Sequence, residues 1–465
     1  MRKTKRVLAQ FTFYDRTGIQ AFLEKQAAAG WLLEKIAPLG WKFRRAEPKK
    51  VHYAVTYFPK ASVFDPELTE GQKTMEEFCA YAGWNLVTAY GPLQVFSNER
   101  EDPLPIETDP VTELAAIHAS AKKNYLPSYI ALLFITILNI ALQIGQLRTF
   151  PLSYLSQNTT IFNWLCQLCL LTMCCQEVFG YFRWYRKAER AAEETGTFVE
   201  TRGHRKTQLV LLGIVMAAAG WLLLTMWGDM ATAFVVVISG VFVLYAVVFG
   251  LQAILKKCKV SREVNRAATI WTTVILSIVM TVALFNGIVD GVMSNSRQEK
   301  DDAEAYESNG FTFYAYDHEL PLYVEDLTET DYDRYSKWAN ERSSVLLRVR
   351  EYRQSTRVGP GEDAPEIEYD IYDVRLPLLY GICKAELLSE YEGWSSGDIY
   401  GNVYQDEYRA VDAIPWGAEE AYRLYSHVEP YNWYLLCFDD RLVTVQLTWE
   451  PDEAQMTKIG STFGK

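Results

Sequence analysis

AAAGW at Ala27–Trp31 recurs letter for letter at Ala217–Trp221, and a near copy, AYAGW, occupies Ala80–Trp84. Which match is a structural repeat decides how the chain divides. Around Gly30-Trp31 and Gly83-Trp84 the agreement extends at a constant spacing of 53, pairing Leu33 with Leu86, Phe43 with Phe96 and Glu24 with Glu77. Each Gly-Trp closes an amphipathic helical stretch, 17–29 and 67–82, and Asp15 and Asp65 stand where N-caps are expected. Glycine after a last turn can take the left-handed conformation, and the tryptophan then packs back on the helix. Two strand-like stretches follow each helix, WLLEKI and WKFRR, then WNLVTAY and LQVFS. Another precedes each helix, FTFY at 11–14 and HYAVTYF at 52–58. The pattern predicts two βαββ units in tandem, an α+β domain over 1–110 followed by a linker helix over 111–125. Gly30, Trp31, Gly83 and Trp84 are read as caps and core; a surface role for either tryptophan is the alternative.

The copy at Ala217–Trp221 has a different setting. Leu126–Leu147, Gln208–Trp227, Ala231–Leu255 and Ala267–Val289 contain no charged residue, and Ile161–Tyr181 contains only Glu177. Runs of about 20 apolar residues span the ~30 Å hydrocarbon core, and backbone amides in lipid must bond internally. The sequence therefore predicts five transmembrane helices within 126–293. Trp221 lies in the third, where alanine and glycine are common, so its AAAGW is a coincidence of composition.

Charge divides the chain the same way. Residues 1–125 hold 17 Lys+Arg and 15 Asp+Glu, residues 126–299 hold 14 and 9, and residues 300–465 hold 15 and 34. An acidic tail repels nucleic acid, so no direct nucleic-acid binding is expected. The 182–207 and 256–266 connections carry twelve Lys+Arg, whereas 148–160 and 228–230 carry one, Arg148. Cationic loops stay in the cytoplasm, which predicts a cytoplasmic N-terminus and an extracytoplasmic tail in the cell membrane. The basic loops also suit anionic lipid headgroups, although setting topology explains them equally well. MRKTKR at the start is basic, but its apolar continuation is too short for a cleavable signal.

In order, FTFYD at 11–15, AAAGW, KFRRAEP at 42–48, YAVTYFP at 53–59, AYAGW, LQVFSNER at 93–100 and PLPIETDP at 103–110 resemble the domain of unknown function 2812 family. The resemblance covers about the first 110 residues. It implies a bacterial membrane protein whose N-terminal domain precedes several transmembrane helices, often encoded near PadR-like transcriptional regulators. It implies no activity and supplies no catalytic residues.

Residues 300–465 read as an acidic, aromatic-rich α+β domain. Strand-like stretches include FTFYAY at 311–316, SVLLRVREY at 344–352 and IEYDIYDVRL at 367–376. NWYLLCF and LVTVQLTW flank a turn at Asp439-Asp440-Arg441 and form the clearest hairpin. Helical stretches fall near 378–391 and 451–463. Cys383 and Cys437 are the two cysteines on the predicted outer side, so they are a candidate disulfide, with buried free thiols as the alternative.

Chemistry is harder to find. Cys166, Cys169, Cys174 and Cys175 include C-x-x-C, but 166, 169 and 173 share a helix face and 174 and 175 turn away, which favours small apolar packing over metal or redox work. GWSSG at 393–397 matches G-x-S-x-G, yet a helix-like stretch precedes Ser395 and a strand-like stretch follows, the reverse of a nucleophile elbow. Asp398 and His427 have no telling spacing as its partners. His52, His118, His204, His318 and His427 show no ligand pattern, and no phosphate-binding glycine loop occurs. No catalytic, metal or cofactor-binding residue is assigned. Glu177 and Asp290 fall near predicted span ends, and the other spans lack the buried charge that ion-coupled transport needs. The expectation is a non-enzymatic membrane sensor or regulator coupling an outer domain to a cytoplasmic partner-binding domain, with a PadR-like regulator as a candidate partner. The alternative is a transport or export-complex subunit.

Overall fold

The computed structural model describes all residues except 1–2, 10, 38–39, 202–204, 226–228, 302, 360–363, 392–394, 398–402, 427–428 and 465. The N-terminal part runs β1 (Thr4–Val7), α1 (Arg16–Ala28), β2 (Trp31–Lys35), β3 (Trp41–Arg45), then β4 (His52–Tyr57), α2 (Glu70–Tyr81), β5 (Asn85–Tyr90), β6 (Leu93–Asn98). These strands make two antiparallel sheets of order β1-β3-β2 and β4-β6-β5. Leu33 pairs with Phe43 and Leu86 with Phe96, and the register slips after Leu33 and after Leu86. Ala29 and Ala82 end the two helices, and Gly30 and Gly83 follow at φ +78° and +86°. A side chain at either glycine would be strained there.

Two local expectations need correction. The first strand is Thr4–Val7, and FTFY at 11–14 forms a turn, closed by Asp15 N to Thr12 O at 3.0 Å. Its aromatic side chains all enter one core instead of alternating between two sheet faces. The second N-cap is Thr69, which forms a capping box with Gln72. Asp65 instead accepts from Ser62 N at 2.6 Å and lies 3.7 Å from Arg262. Asp15 does cap α1, accepting from Gly18 N at 3.1 Å.

Next come α3 (Pro110–Asn124), α4 (Leu126–Thr149), α5 (Pro151–Leu155), α6 (Asn158–Thr195), α7 (Arg205–Thr225), α8 (Asp229–Lys257) and α9 (Arg262–Asp301). Five of these, α4 and α6 to α9, are long and apolar enough to cross a membrane, with mean hydropathy of 1.3 to 2.2. Phe134, Phe242, Trp271 and Ile278 stand exposed on them. So much bare hydrocarbon is stable only against lipid, which marks a multi-pass membrane protein. The AAAGW at Ala217–Trp221 lies inside α7, and its Gly220 has ordinary helical backbone.

The C-terminal part adds β7 (Glu304–Ser308), β8 (Phe311–Ala315), β9 (Ser336–Ser343), β10 (Leu347–Ser355), β11 (Ile367–Val374), α10 (Pro377–Ser389), β12 (Ser395–Gly397), β13 (Val403–Val411), β14 (Glu420–Ser426), β15 (Glu429–Cys437), β16 (Arg441–Leu447) and α11 (Glu453–Phe463). Strands β9 to β16 form one antiparallel sheet of order β12-β13-β14-β15-β16-β11-β10-β9. Alternation along β11 sends Ile367, Tyr369 and Ile371 to a core shared with Ile459 and Phe463 of α11. Tyr372 and Val374 enter a second core with Cys383 and Leu387 of α10. Strands β15 and β16 are the expected hairpin, with Cys437 paired to Leu442 across the turn.

Packing separates the chain into two units, residues 1–139 with 165–287 and residues 140–164 with 288–465. Helices α4, α6 and α9 therefore each have one end in either unit.

Candidate functional site

In the first unit, the turn at residues 11–14 is the centre of a junction with the membrane helices. Phe13 stacks on Tyr125 at 5.4 Å, and Tyr14 stacks on Trp184 at 4.9 Å and meets Tyr181 edge-on at 5.3 Å. His118 Nδ1 lies 2.8 Å from the Tyr181 hydroxyl, and its ring sits 4.4 Å from that of Tyr185. Tyr57 donates to Phe13 O at 2.5 Å. Burial raises the Tyr14, Tyr57 and Tyr125 phenols well above their ordinary value, so all three are neutral.

Glu177 sits below this aromatic cluster on α6 and is 1% exposed. It accepts hydrogen bonds from the Tyr125 hydroxyl and from Gln208 Nε2 of α7. A carboxylate so placed costs several kcal/mol to desolvate unless donors meet it. The same carboxylate borders a groove of about 630 Å³ whose walls include Phe11, Tyr129, Cys166, Cys169 and Gln208. Cys166 and Cys169 thus share a face with Met173, while Cys174 is fully buried. All four cysteines are free thiols.

The connection after α6 clamps the start of α1. Thr17 and Thr201 exchange backbone and hydroxyl hydrogen bonds, with Thr201 N to Thr17 Oγ1 at 2.9 Å and the two hydroxyls 2.8 Å apart. The Thr201 hydroxyl also donates to Asp15 Oδ1 at 2.9 Å. Arg16 pairs with Glu113 of α3 and lies over the Phe198 ring at 5.1 Å. A second contact joins residues 60–67 to α8 and α9. Gln252 Nε2 donates to Val63 O at 3.3 Å, and the fully buried Asn265 donates to Phe64 O at 3.0 Å. Lys259, held at φ +54°, reaches Glu67 at 2.5 Å.

In the second unit the turn between α4 and α6 is folded into the sheet domain. Leu152 and Leu155 of α5 belong to the core of Leu347, Leu387 and Leu435. Ser344 Oγ donates to Leu155 O at 2.6 Å, Val345 N to Asn158 Oδ1 at 3.1 Å, and Leu152 N to the Glu386 carboxylate.

Trp84 is 4% exposed and donates to Leu104 O at 2.8 Å, whereas Trp31 is half-buried with Lys5 and Arg45 over its ring at 4.4 and 5.0 Å. Cys383 and Cys437 lie in one apolar core but are free thiols, so the candidate disulfide is not formed. Burial pushes both thiols up to about 11. Ser395 lies on β12, while Asp398, His427 and His204 fall outside the described residues, as does the Asp290 side chain. Among the described residues no group of His, Cys, Asp and Glu is arranged for a metal ion.

Sequence reasoning missed the junction itself. Its signal was present as Glu177, the one acid in an otherwise apolar run, and as FTFYD, whose three aromatic residues in four positions do not alternate. Another site lies in the second unit. Asp370 Oδ1 is buried without a hydrogen-bond partner among the described residues, and burial, with Glu351 and Glu368 nearby, raises this carboxyl to about 7.

No curated protein and no solved structure matches the chain. A family model does match, and its range holds Asp15, Arg16, Tyr57, Glu113 and Tyr125 of the junction but ends before Glu177 and Thr201. Residues 15–128 match the model of a family described as a protein of unknown function, DUF2812.

Proposed function

We propose that this is a non-enzymatic membrane sensor or regulator, in which a state of the second unit is passed along α4 and α6 to the junction of the first. The observation that carries the reading is the double membership of those helices. At the end where α5 joins them, Leu152 and Leu155 are part of the sheet domain's core, and further along α6 Glu177, Tyr181 and Trp184 are part of the junction with the N-terminal domain. A ligand that favours one packing of the sheet domain can thereby bias the junction, provided its affinity differs between the two states. In this reading the N-terminal domain is cytoplasmic, the sheet domain is extracytoplasmic, and the membrane is the cell membrane. The twin sheet orders, the matching Leu–Phe pairs and the matching register slips support reading residues 1–110 as a tandem βαββ repeat. Its output partner would be a cytoplasmic protein, a PadR-like transcriptional regulator being the candidate.

The test is hydrogen exchange on the full chain in nanodiscs, comparing wild type with Leu155→Ala. The reading expects faster exchange at residues 12–18 and 197–201 in the variant. Unchanged exchange there, with exchange in the sheet domain raised, would sink it.

A second reading, a transport or export-complex subunit, has one observation in its favour. Glu177 is a buried ionisable group within a span, a feature typical of ion pathways. Solute or proton flux in liposomes that is lost in Glu177→Gln would favour that reading.

A further inference from the structure

The part of α6 that carries the junction has an opposite face, and the two differ in kind. Tyr181, Trp184, Tyr185 and Ala188 turn inward, with Tyr181 and Ala188 buried. Phe179, Phe182, Arg183, Arg186, Lys187 and Arg190 are all exposed and border one shallow concavity. Their spacing of three and four residues makes a continuous stripe on a helix. The stripe is apolar at Phe179 and Phe182 and cationic from Arg183 onward. None of the four cations forms an ion pair with a described residue, while the neighbouring acid Glu189 is engaged by Tyr185.

We propose that this stripe binds an anionic phospholipid, with its phosphate on Arg183, Arg186, Lys187 and Arg190 and an acyl chain against Phe179 and Phe182. This rests on the reading that α6 spans the bilayer. The apolar run of the second span ends at Tyr181, so the cations begin where hydrocarbon gives way to headgroups. Their aliphatic stems can lie along apolar surface while the charged ends reach phosphate oxygens. Arg183 and Arg190 are separated by about 10 Å along the axis at 1.5 Å per residue, and a guanidinium fork matches two phosphate oxygens. A soluble phosphate satisfies only the cations. A phospholipid satisfies both halves of the stripe, and that continuity favours lipid as the source of the phosphate. Because the opposite face holds Tyr14 and His118, a bound lipid would brace α6 from behind the junction.

The experiment is native mass spectrometry of the full chain purified from vesicles of phosphatidylcholine alone or mixed with phosphatidylglycerol. Wild type is expected to retain phosphatidylglycerol over phosphatidylcholine by about ten-fold or more, since each cation near a membrane surface contributes roughly five-fold. The quadruple variant Arg183→Gln, Arg186→Gln, Lys187→Gln, Arg190→Gln should lose that preference, and the control Lys25→Gln, Lys73→Gln should keep it. Equal retention of both lipids by the wild type overturns the proposal. Displacement of phosphatidylglycerol by inorganic phosphate or glycerol phosphate also overturns it, by showing a site for a soluble anion. These two results are read on the wild type, so they decide the matter even if the quadruple variant misfolds. Failure of the wild type to insert in either vesicle would instead refute the multi-pass reading.

Discussion

The two places where span helices enter a folded domain are built from opposite materials. In the second unit the contact is mostly hydrocarbon, with Leu152 and Leu155 completing a core that also holds Leu347, Leu387 and Leu435, and hydrogen bonds from Ser344, Leu152 N and Val345 N add to it. In the first it is polar and aromatic, with Glu177, Tyr125, Gln208, Thr17, Thr201 and Asp15 linked by hydrogen bonds among stacked rings. The difference teaches which contact can switch. An apolar core has no good alternative to being packed, because exposure costs about 25 cal/mol per Å². Hydrogen-bonded groups can exchange partners with water or a ligand at a net cost near 1 kcal/mol each. The first seam is suited to changing state and the second to holding fast.

The largest expected effect is at the hydrocarbon seam. Leu155→Ala should destabilise the sheet domain by roughly 2–5 kcal/mol, as deleted core methyl groups do. Denaturant unfolding of the full chain in micelles would measure it, and a loss well below that would show that α5 is only loosely attached.

Acidity should act on the same unit next most strongly. The folded carboxyl of Asp370 lies near 7, above the ~3.9 of an unfolded aspartate. Its protonated form therefore supports the fold, fully below about pH 4, and that support fades as pH rises through 7. Asp370→Asn should match wild type near pH 4 and exceed it in melting temperature above pH 7. A constant difference between them at every pH would show that the carboxyl does not titrate in this way.

At the polar seam, Glu177→Leu leaves the Tyr125 hydroxyl and the Gln208 amide without their acceptor, at about 1–3 kcal/mol. Hydrogen exchange around residues 121–126 should rise, and Glu177→Gln should restore much of the protection. Equal damage from both variants would mean that the charge itself matters, sharpening the case for transport. Thr201→Val should cost least, about 1 kcal/mol for the lost hydroxyl bonds, loosening residues 15–18 and, because coupling is reciprocal, slightly lowering the sheet domain's melting. A sheet domain left unmoved while residues 15–18 loosen would show that the two seams are uncoupled.

What could be read in advance followed from local rules. The five apolar runs were legible because lipid leaves the backbone no choice but helix. Gly30 and Gly83 were legible because a left-handed residue after a last turn favours glycine. Thr69-x-x-Gln72 is legible as a capping box, whereas residue type alone points to Asp65. Aromatic enrichment in FTFY at 11–14 suggests a strand, although its lack of alternation argues for the turn that forms. The buried state of Glu177 had no local signature beyond its isolation in an apolar run.

By itself, then, the sequence determined where the chain meets lipid, where its helices stop and how its charge divides, since these depend on neighbours in the chain. Only the tertiary structure decided that residues 11–17 meet residues 177–201, that Leu155 meets Ser344 of the sheet domain 189 residues further on, and that Cys383 and Cys437 share a core without bonding. Those outcomes depend on which surfaces of distant segments are complementary in shape and hydrogen bonding, and spacing along the chain does not encode that directly.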